Sequence, residues 1–329
     1  MDKKPKTIAD QVVDMIAGAG VKHLYAITGD SLNCVNDAVR RDGRIEWIHV
    51  RHEETGAFAA GAEAMLTGKL ACCAGSSGPG HVHLINGLYD NNRSNCAPVL
   101  AIASTCDSSQ FGTQYFQETD TIRLFDDCSV YNQVANTSEQ APRMLQAAMQ
   151  YAIEKKGVGV FGLPGDLTQK DAVEINTSLH PSSSPRPIMP DDDEITRLAD
   201  VINKAEKVTI YCGIGAEKAM PEILELARLI KAPVGSTVKA KFMVQPENVF
   251  FVGTTGLSGF TSCYRAMHEA EVLLLIGTDF PFSPFMPKEN FIAQIDQRPE
   301  TIGRRANVSL GIAADSKLAL KKLLPSIKP

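Results

Sequence analysis

Apolar runs of strand length alternate along this chain with longer segments whose apolar residues recur at helical spacing, and few folds accept that alternation. A strand, a crossover helix and a second strand bring the chain back parallel to where it began. Repeating the unit builds a parallel sheet with helices on both faces. Residues 23–27, 45–50, 70–74, 98–103, 130–134 and 158–163 read as strands. Between them 32–40, 54–66, 81–89 and 139–155 read as helices, after a first helix that Thr7 could cap and that carries Ile8, Val12, Val13 and Ile16 on one face. The pattern resumes with a helix at 193–204, a strand at 208–212, the turn Gly213-Ile214-Gly215 and a helix at 221–230. Strands at 233–236, 272–276 and 291–295 follow, and a helix at 317–324 closes the chain. The expected fold class is α/β, with two doubly wound parallel-sheet domains.

Two domains also suit the length, because 329 residues exceed what one core usually serves. Between 169 and 190 the composition shifts to Ser, Pro and Asp, including His180-Pro181-Ser182-Ser183-Ser184-Pro185-Arg186-Pro187. Proline at that density favours an extended connector over a packed element. Domains are therefore expected at 1–168 and 191–329, with a linker at 169–190. No sequence repeat relates the two halves.

Charge and composition exclude several classes. A net charge of -5 leaves no basic footprint for nucleic acid. Hydrophobic residues make up 44%, enough for ample soluble cores. The start, Met1-Asp2-Lys3-Lys4-Pro5-Lys6, is charged and leads into an amphipathic segment, so neither a signal peptide nor an integral membrane segment is expected. The 8 cysteines show no Cys-x-x-Cys spacing and mostly sit in apolar runs. They read as reduced core thiols of a cytoplasmic protein, and no metal is assigned to this chain's own residues.

Chemistry concentrates between Ile45 and Gly68. Arg51-His52-Glu53-Glu54 stands where an apolar strand hands over to an alanine-rich helix, the place where open α/β sheets put their ligands. A solvated turn with its charges in water is the plain alternative. Further on, Gly78-Pro79-Gly80 precedes an expected helix. Glycine there lets backbone approach a ligand closely, although such turns use Gly and Pro for purely structural reasons about as often.

The order of these motifs is more specific than any one of them. Thr28-Gly29-Asp30-Ser31-Leu32-Asn33, then Arg51 to Glu54, then Ser76-Ser77-Gly78-Pro79-Gly80-His81-Val82-His83, then Tyr115-Phe116-Gln117-Glu118-Thr119 resembles the pyrimidine-binding domain of thiamine diphosphate enzymes. Within them the likeness is greatest to the pyruvate oxidase or pyruvate dehydrogenase (quinone) family, and it runs over nearly the whole chain. The resemblance implies that Glu53 is the catalytic residue. Its carboxyl group would bond N1′ of the cofactor's aminopyrimidine and favour the imino tautomer that deprotonates thiazolium C2. A carboxyl does this only where water is scarce, since desolvation favours its protonated form. Pro79 would lie against the aminopyrimidine with the turn that carries it. His83 stands where pyruvate oxidases carry His and acetolactate synthases Asn, a core histidine bonded to backbone being the alternative. Phe116 and Gln117 match a pair that reaches the reaction centre across a subunit interface, or else form an ordinary loop. His81 departs from the small or amide residue usual at its position.

In the second domain, Gly256, Leu257, Ser258 and Gly259 within Gly253 to Phe260, then Gly277-Thr278-Asp279-Phe280-Pro281, then Asp296 resemble the flavin-contacting segments of the same oxidases. They imply FAD, held by backbone N–H groups at strand ends. An empty spacer domain is the alternative. Asp279 stands where a neutral amide is usual, Lys239-Ala240-Lys241 replaces Arg-Gly-Lys, and the spacing is not that of a dinucleotide-binding fingerprint.

In this family a third domain grips the cofactor's diphosphate through Mg²⁺, on Gly-Asp-Gly followed further on by Asn. No Gly-Asp-Gly occurs here: Asp30 is followed by Ser31 and Asp166 by Leu167. Mg²⁺ is therefore expected only through such a domain, with this chain a split subunit, a truncated product or a stand-alone binding protein. The implied function is the cofactor-activating part of an enzyme that decarboxylates pyruvate, or another 2-oxo acid, through thiamine diphosphate. Electrons would pass to FAD and then to a quinone. Inactivity of the chain alone, a homo-oligomer and a separate subunit bearing the diphosphate-binding domain go with that reading. The alternatives are a non-catalytic thiamine diphosphate- or nucleotide-binding module and an acetolactate synthase-like carboligase.

Overall fold

The structure is a computed structural model that describes residues 5–174 and 187–328. It separates into two compact units, the first reaching residue 185 and the second starting at 186. Much of the expected linker, 175–186, lies outside the described residues. Residues just before it run back along the start of the chain: Asp171 bridges Thr7, and the Ala172 N–H donates to the Lys6 carbonyl at 2.8 Å.

The first unit holds six parallel strands: β1 (His23–Ala26), β2 (Glu46–His49), β3 (Ala71–Gly75), β4 (Val99–Thr105), β5 (Tyr131–Val134) and β6 (Val158–Pro164), in spatial order β2-β1-β3-β4-β6-β5. Helices α1 (Ile8–Gly18), α2 (Asn33–Asp42) and α7 (Ala141–Lys155) cover one face. Helices α3 (Glu53–Thr67), α5 (Ile85–Tyr89) and α6 (Thr121–Phe125) cover the other, and α4 (Pro79–Val82) is a single turn at the end of β3. The pleat explains the unbroken apolar runs. Cys72, Ala74, Leu100 and Ile102 feed the core under α1 and α7, while Ala71, Cys73, Val99 and Ala101 feed the core under α3.

The second unit repeats the scheme with β7 (Val208–Cys212), β8 (Val234–Ser236), β9 (Phe251–Thr254), β10 (Val272–Ile276), β11 (Phe291–Asp296) and β12 (Leu310–Ala313), in order β12-β11-β10-β7-β8-β9. Its helices are α8 (Asp192–Lys204), α9 (Met220–Ile230), α10 (Lys241–Val244), α11 (Thr261–Glu269) and α12 (Ser316–Leu323). The α/β class with two parallel sheets is as expected.

Two local readings are corrected. The single helix expected over 81–89 is broken into α4, α5 and a π-helical stretch, Asp90–Asn95. The π-helical stretch is tied down from outside: Asn91 Nδ2 donates to the Ala57 carbonyl at 2.8 Å, and Asn92 Oδ1 accepts from the Val158 N–H. Strands β9 and β12 and helices α6 and α11 had no counterpart in the sequence reading. Both strands are sheet edges of four residues with only part of each run buried, so their apolar signal is weak.

All 8 cysteines are free thiols, and six are buried. No helix among the described residues is long and apolar enough to cross a membrane.

Candidate active site

Strand β2 ends at His49, and the chain turns through Arg51 into α3, whose first residue is Glu53. His52 is the N-cap, its Nδ1 accepting the Glu54 N–H at 3.3 Å. Two carboxylates in the first turn face the positive end of the helix, an arrangement worth about 0.3–1 kcal/mol each. Glu54 is bonded by the Asn86 side-chain amide. Glu53 instead points inward and is only 6% exposed.

The Glu53 carboxylate meets His83, whose Nδ1 lies 3.0 Å from Oε2. A carboxylate only accepts, so Nδ1 carries the proton and donates. The His83 ring stacks on His52 with centroids 4.4 Å apart. On the other side, a β-carbon placed on Gly80 would sit 3.3 Å from Glu53 Oε1 and 2.4 Å from Ser76 Oγ. Pro79 is exposed beside this buried carboxyl. The result is a buried carboxyl group bonded by His83 and packed near Gly80, with His52 and Pro79 exposed on the adjoining turns.

Sequence-distant motifs converge here. The Ser31 hydroxyl accepts the Ser77 N–H at 2.9 Å, joining the 28–33 motif to the 76–83 motif. Gly78 has φ +67°, and a β-carbon there would lie 3.0 to 3.1 Å from Gln117 atoms, so the 115–119 segment is packed directly on the turn. The Gln117 backbone thereby lies against the turn next to the site. The Phe116 ring, 82% exposed, does not press on Glu53 in this chain and faces outward.

His81 was singled out only as a departure, and the structure gives it a task. It is fully buried, with Nδ1 donating to the Ser104 carbonyl at 2.7 Å and Nε2 2.5 Å from Thr119 Oγ1. It ties the end of β4 to the segment that carries Phe116 and Gln117. Burial holds its pKa below the ordinary 6.5, against the opposing pull of the Ser104 carbonyl. A neutral buried histidine resists the proton that the unfolded chain accepts, so stability is full above pH 6.5 and falls as the pH drops through that value. Urea unfolding of the first unit at pH 7.5 and 5.5 is expected to show this loss, and His81→Gln to remove the histidine's share of it. An unchanged pH slope in the variant would refute the assignment.

In the second unit the flavin-like segments follow β9, β10 and β11, all at the carboxyl edge of one parallel sheet. Asp279 is paired with the guanidinium groups of Arg304 and Arg305, the latter at 3.1 Å. Its charge is thus more than offset. Asp296 is buried, and that burial pushes its carboxyl above the usual range. The Thr278 and Ser236 hydroxyls are buried with no hydrogen-bond partner among the described residues. Leu257 is 78% exposed, and Phe280 and Phe282 form an edge-on pair nearby, against Gly256. The glycines have internal duties as well: β-carbons on Gly213, Gly215 or Gly277 would strike the facing turn's backbone at under 3 Å. Gly277, with φ +56°, therefore closes the β7–β10 turns on each other whatever binds there.

Residues 6–124 match the family described as thiamine pyrophosphate enzyme, N-terminal TPP binding domain, and residues 195–323 match thiamine pyrophosphate enzyme, central domain. An uncharacterized 42.6 kDa protein from Pseudomonas amyloderamosa is 45% identical over 98% of this chain and 81% of its own length. The putative thiamine pyrophosphate-containing protein YdaP of Bacillus subtilis is 36% identical over 98% of this chain, and pyruvate oxidase of Lactiplantibacillus plantarum 34% over 96%. The chain spans 56% of the first of these two and 53% of the second.

Proposed function

Because this chain belongs to the thiamine pyrophosphate enzyme family, of which it carries the N-terminal TPP-binding and central domains, we propose that its first unit activates thiamine diphosphate for decarboxylation of pyruvate or a related 2-oxo acid. The carrying observation is the Glu53 carboxyl, 6% exposed at a strand exit and flanked by the Gly78-Pro79-Gly80 turn. Gly80, packed on Ser76 with no room for a β-carbon, keeps bare backbone beside the carboxyl, which supports a flat ring lying there.

Thiamine diphosphate, when bound, supplies the nucleophilic carbon that adds to a 2-oxo acid. The chain's residues do the rest. Glu53 presents one carboxyl oxygen to the pyrimidine, away from bulk water. His83 donates to the other oxygen and so fixes the carboxyl plane. Gln117, held on Gly78, offers an amide to a substrate carboxylate or carbonyl. The exposed Phe116 ring is a surface for a second copy of the chain, which supports a homo-oligomer with sites at the subunit boundary. The diphosphate and its Mg²⁺ would be held by residues outside these two units.

For the second unit we propose FAD. The unpartnered Thr278 hydroxyl, the exposed Leu257 and the guanidinium pair beside Asp279 support it. FAD held there would supply the electron-accepting chemistry of an oxidative decarboxylation, with a quinone as the final acceptor. The test mixes the purified chain with a protein supplying the diphosphate-binding domain, plus thiamine diphosphate, Mg²⁺, pyruvate and a dye acceptor. Pyruvate-dependent dye reduction is expected from the mixture and none from the chain alone. Association without turnover would instead make the chain a non-catalytic module. A purified chain that neither shows flavin absorption nor takes up added FAD would reduce the second unit to a spacer.

A further inference from the structure

One donor atom each from His52, Glu53 and His83 lies within 4.8 Å of the others, and among the described residues no other three His, Cys, Asp or Glu groups meet so closely. The separation of Glu53 Oε2 and His83 Nδ1, 3.0 Å, is already near that of two ligands on a tetrahedral ion with bonds of roughly 2.0–2.1 Å. The His52 and His83 rings are stacked, so one of them must turn edge-on to share an ion. Both side chains are free to do so, being 47% and 43% exposed. His52 is restrained mainly by the long bond from the Glu54 N–H.

We propose that His52, Glu53 and His83 bind one divalent cation of the zinc class, and that the bound ion occupies the carboxylate the pyrimidine needs. Two imidazoles and a carboxylate suit a borderline transition ion, whereas Mg²⁺ prefers octahedral oxygen ligands. Binding through His83 Nδ1 takes the other tautomer, with the ring proton passing through solvent to Nε2 so that the imidazole stays neutral, and the ion replaces the hydrogen bond to Glu53. The Glu54 carboxylate, 3.7 Å from His52 Nδ1, adds negative charge at the mouth. The positive end of α3 opposes a cation, which keeps the affinity below that of a closed structural zinc site. Three protein ligands leave a fourth position for water. The site is therefore inhibitory: an ion there withholds Glu53 from the cofactor, a consequence that rests on the reading of Glu53 given above.

The test is calorimetric titration of ZnCl₂ into the metal-free full chain. One site is expected, weakened at least about tenfold in both His52→Ala and His83→Ala. MgCl₂ should give no binding at the same concentrations. Circular dichroism melting of each variant checks that the first unit remains folded. Absence of zinc binding, or an affinity in either variant equal to that of the parent chain, overturns the site. Such a failure leaves the cofactor reading intact, because that is measured by cofactor proton exchange in chelator-treated buffer. Zinc binding that saturating thiamine diphosphate does not weaken overturns the inhibitory role.

Discussion

Glu53→Gln is expected to slow exchange of the thiazolium C2 proton of thiamine diphosphate with deuterated water by about 10²–10⁴ in the assembled enzyme, the range that one positioned acid–base group contributes. Glutamine keeps the volume of the side chain, and its amide oxygen can still accept from His83, so the packing around position 53 is kept. What it loses is the ability to hold and yield a proton at the buried oxygen. The first turn of α3 also loses one negative charge, at a cost of about 0.3–1 kcal/mol. Proton exchange followed by NMR should therefore collapse while the unfolding midpoint moves little. Exchange at near-normal rate in the variant would remove Glu53 from the chemistry.

Gly75→Ala is the substitution expected to damage both fold and site. Gly75 is the last residue of β3, and a β-carbon there would lie 2.5 Å from the His81 Cα and 2.6 Å from both the Gly80 carbonyl oxygen and the His81 nitrogen. These are backbone atoms of the turn that carries Pro79, so no side-chain rotation relieves the contact. Overpacking of this kind costs about 1–3 kcal/mol. Urea unfolding should register that loss in the midpoint of the first unit. The same displacement moves Gly80 away from Glu53 Oε1, so cofactor affinity should fall as well. A variant as stable as the parent, with unchanged affinity, would show that the turn is looser than its spacing implies.

How much of this could be read from the chain depends on where each signal resides. Strands β3, β4, β6, β7 and β10 bury every residue, and an uninterrupted apolar run between Gly and Pro marks such strands directly. Strands β9 and β12, short and at sheet edges, carry too few apolar residues to stand out. Helix α3 is legible at both ends, through Arg51-His52-Glu53-Glu54 at its start and Gly68 in the left-handed region at its end. The break between α4 and α5 is not, since it follows from the positive φ of Gly78 and from Asn91 reaching across to Ala57.

The site divides in the same way. Resemblance pointed to Glu53, His83 and Gln117; the fold bonds the first two and packs the Gln117 backbone on the Gly78 turn. Phe116 is left exposed among the described residues. The tasks of His52, stacked on His83, and of His81, bonded to Ser104 and Thr119, gave no signal beyond residue type.

By itself the sequence determined two parallel α/β units, a carboxyl at a strand exit and the order of the motifs, because periodicity and turn chemistry act between chain neighbours. Only the tertiary structure decided that residues 53 and 83 meet and that 117 packs on the turn at Gly78. That meeting depends on the strand order β2-β1-β3-β4, which lines up the carboxyl ends of separated strands along one edge of the sheet. Strand order is set by packing across the whole core, and no local stretch of residues encodes it.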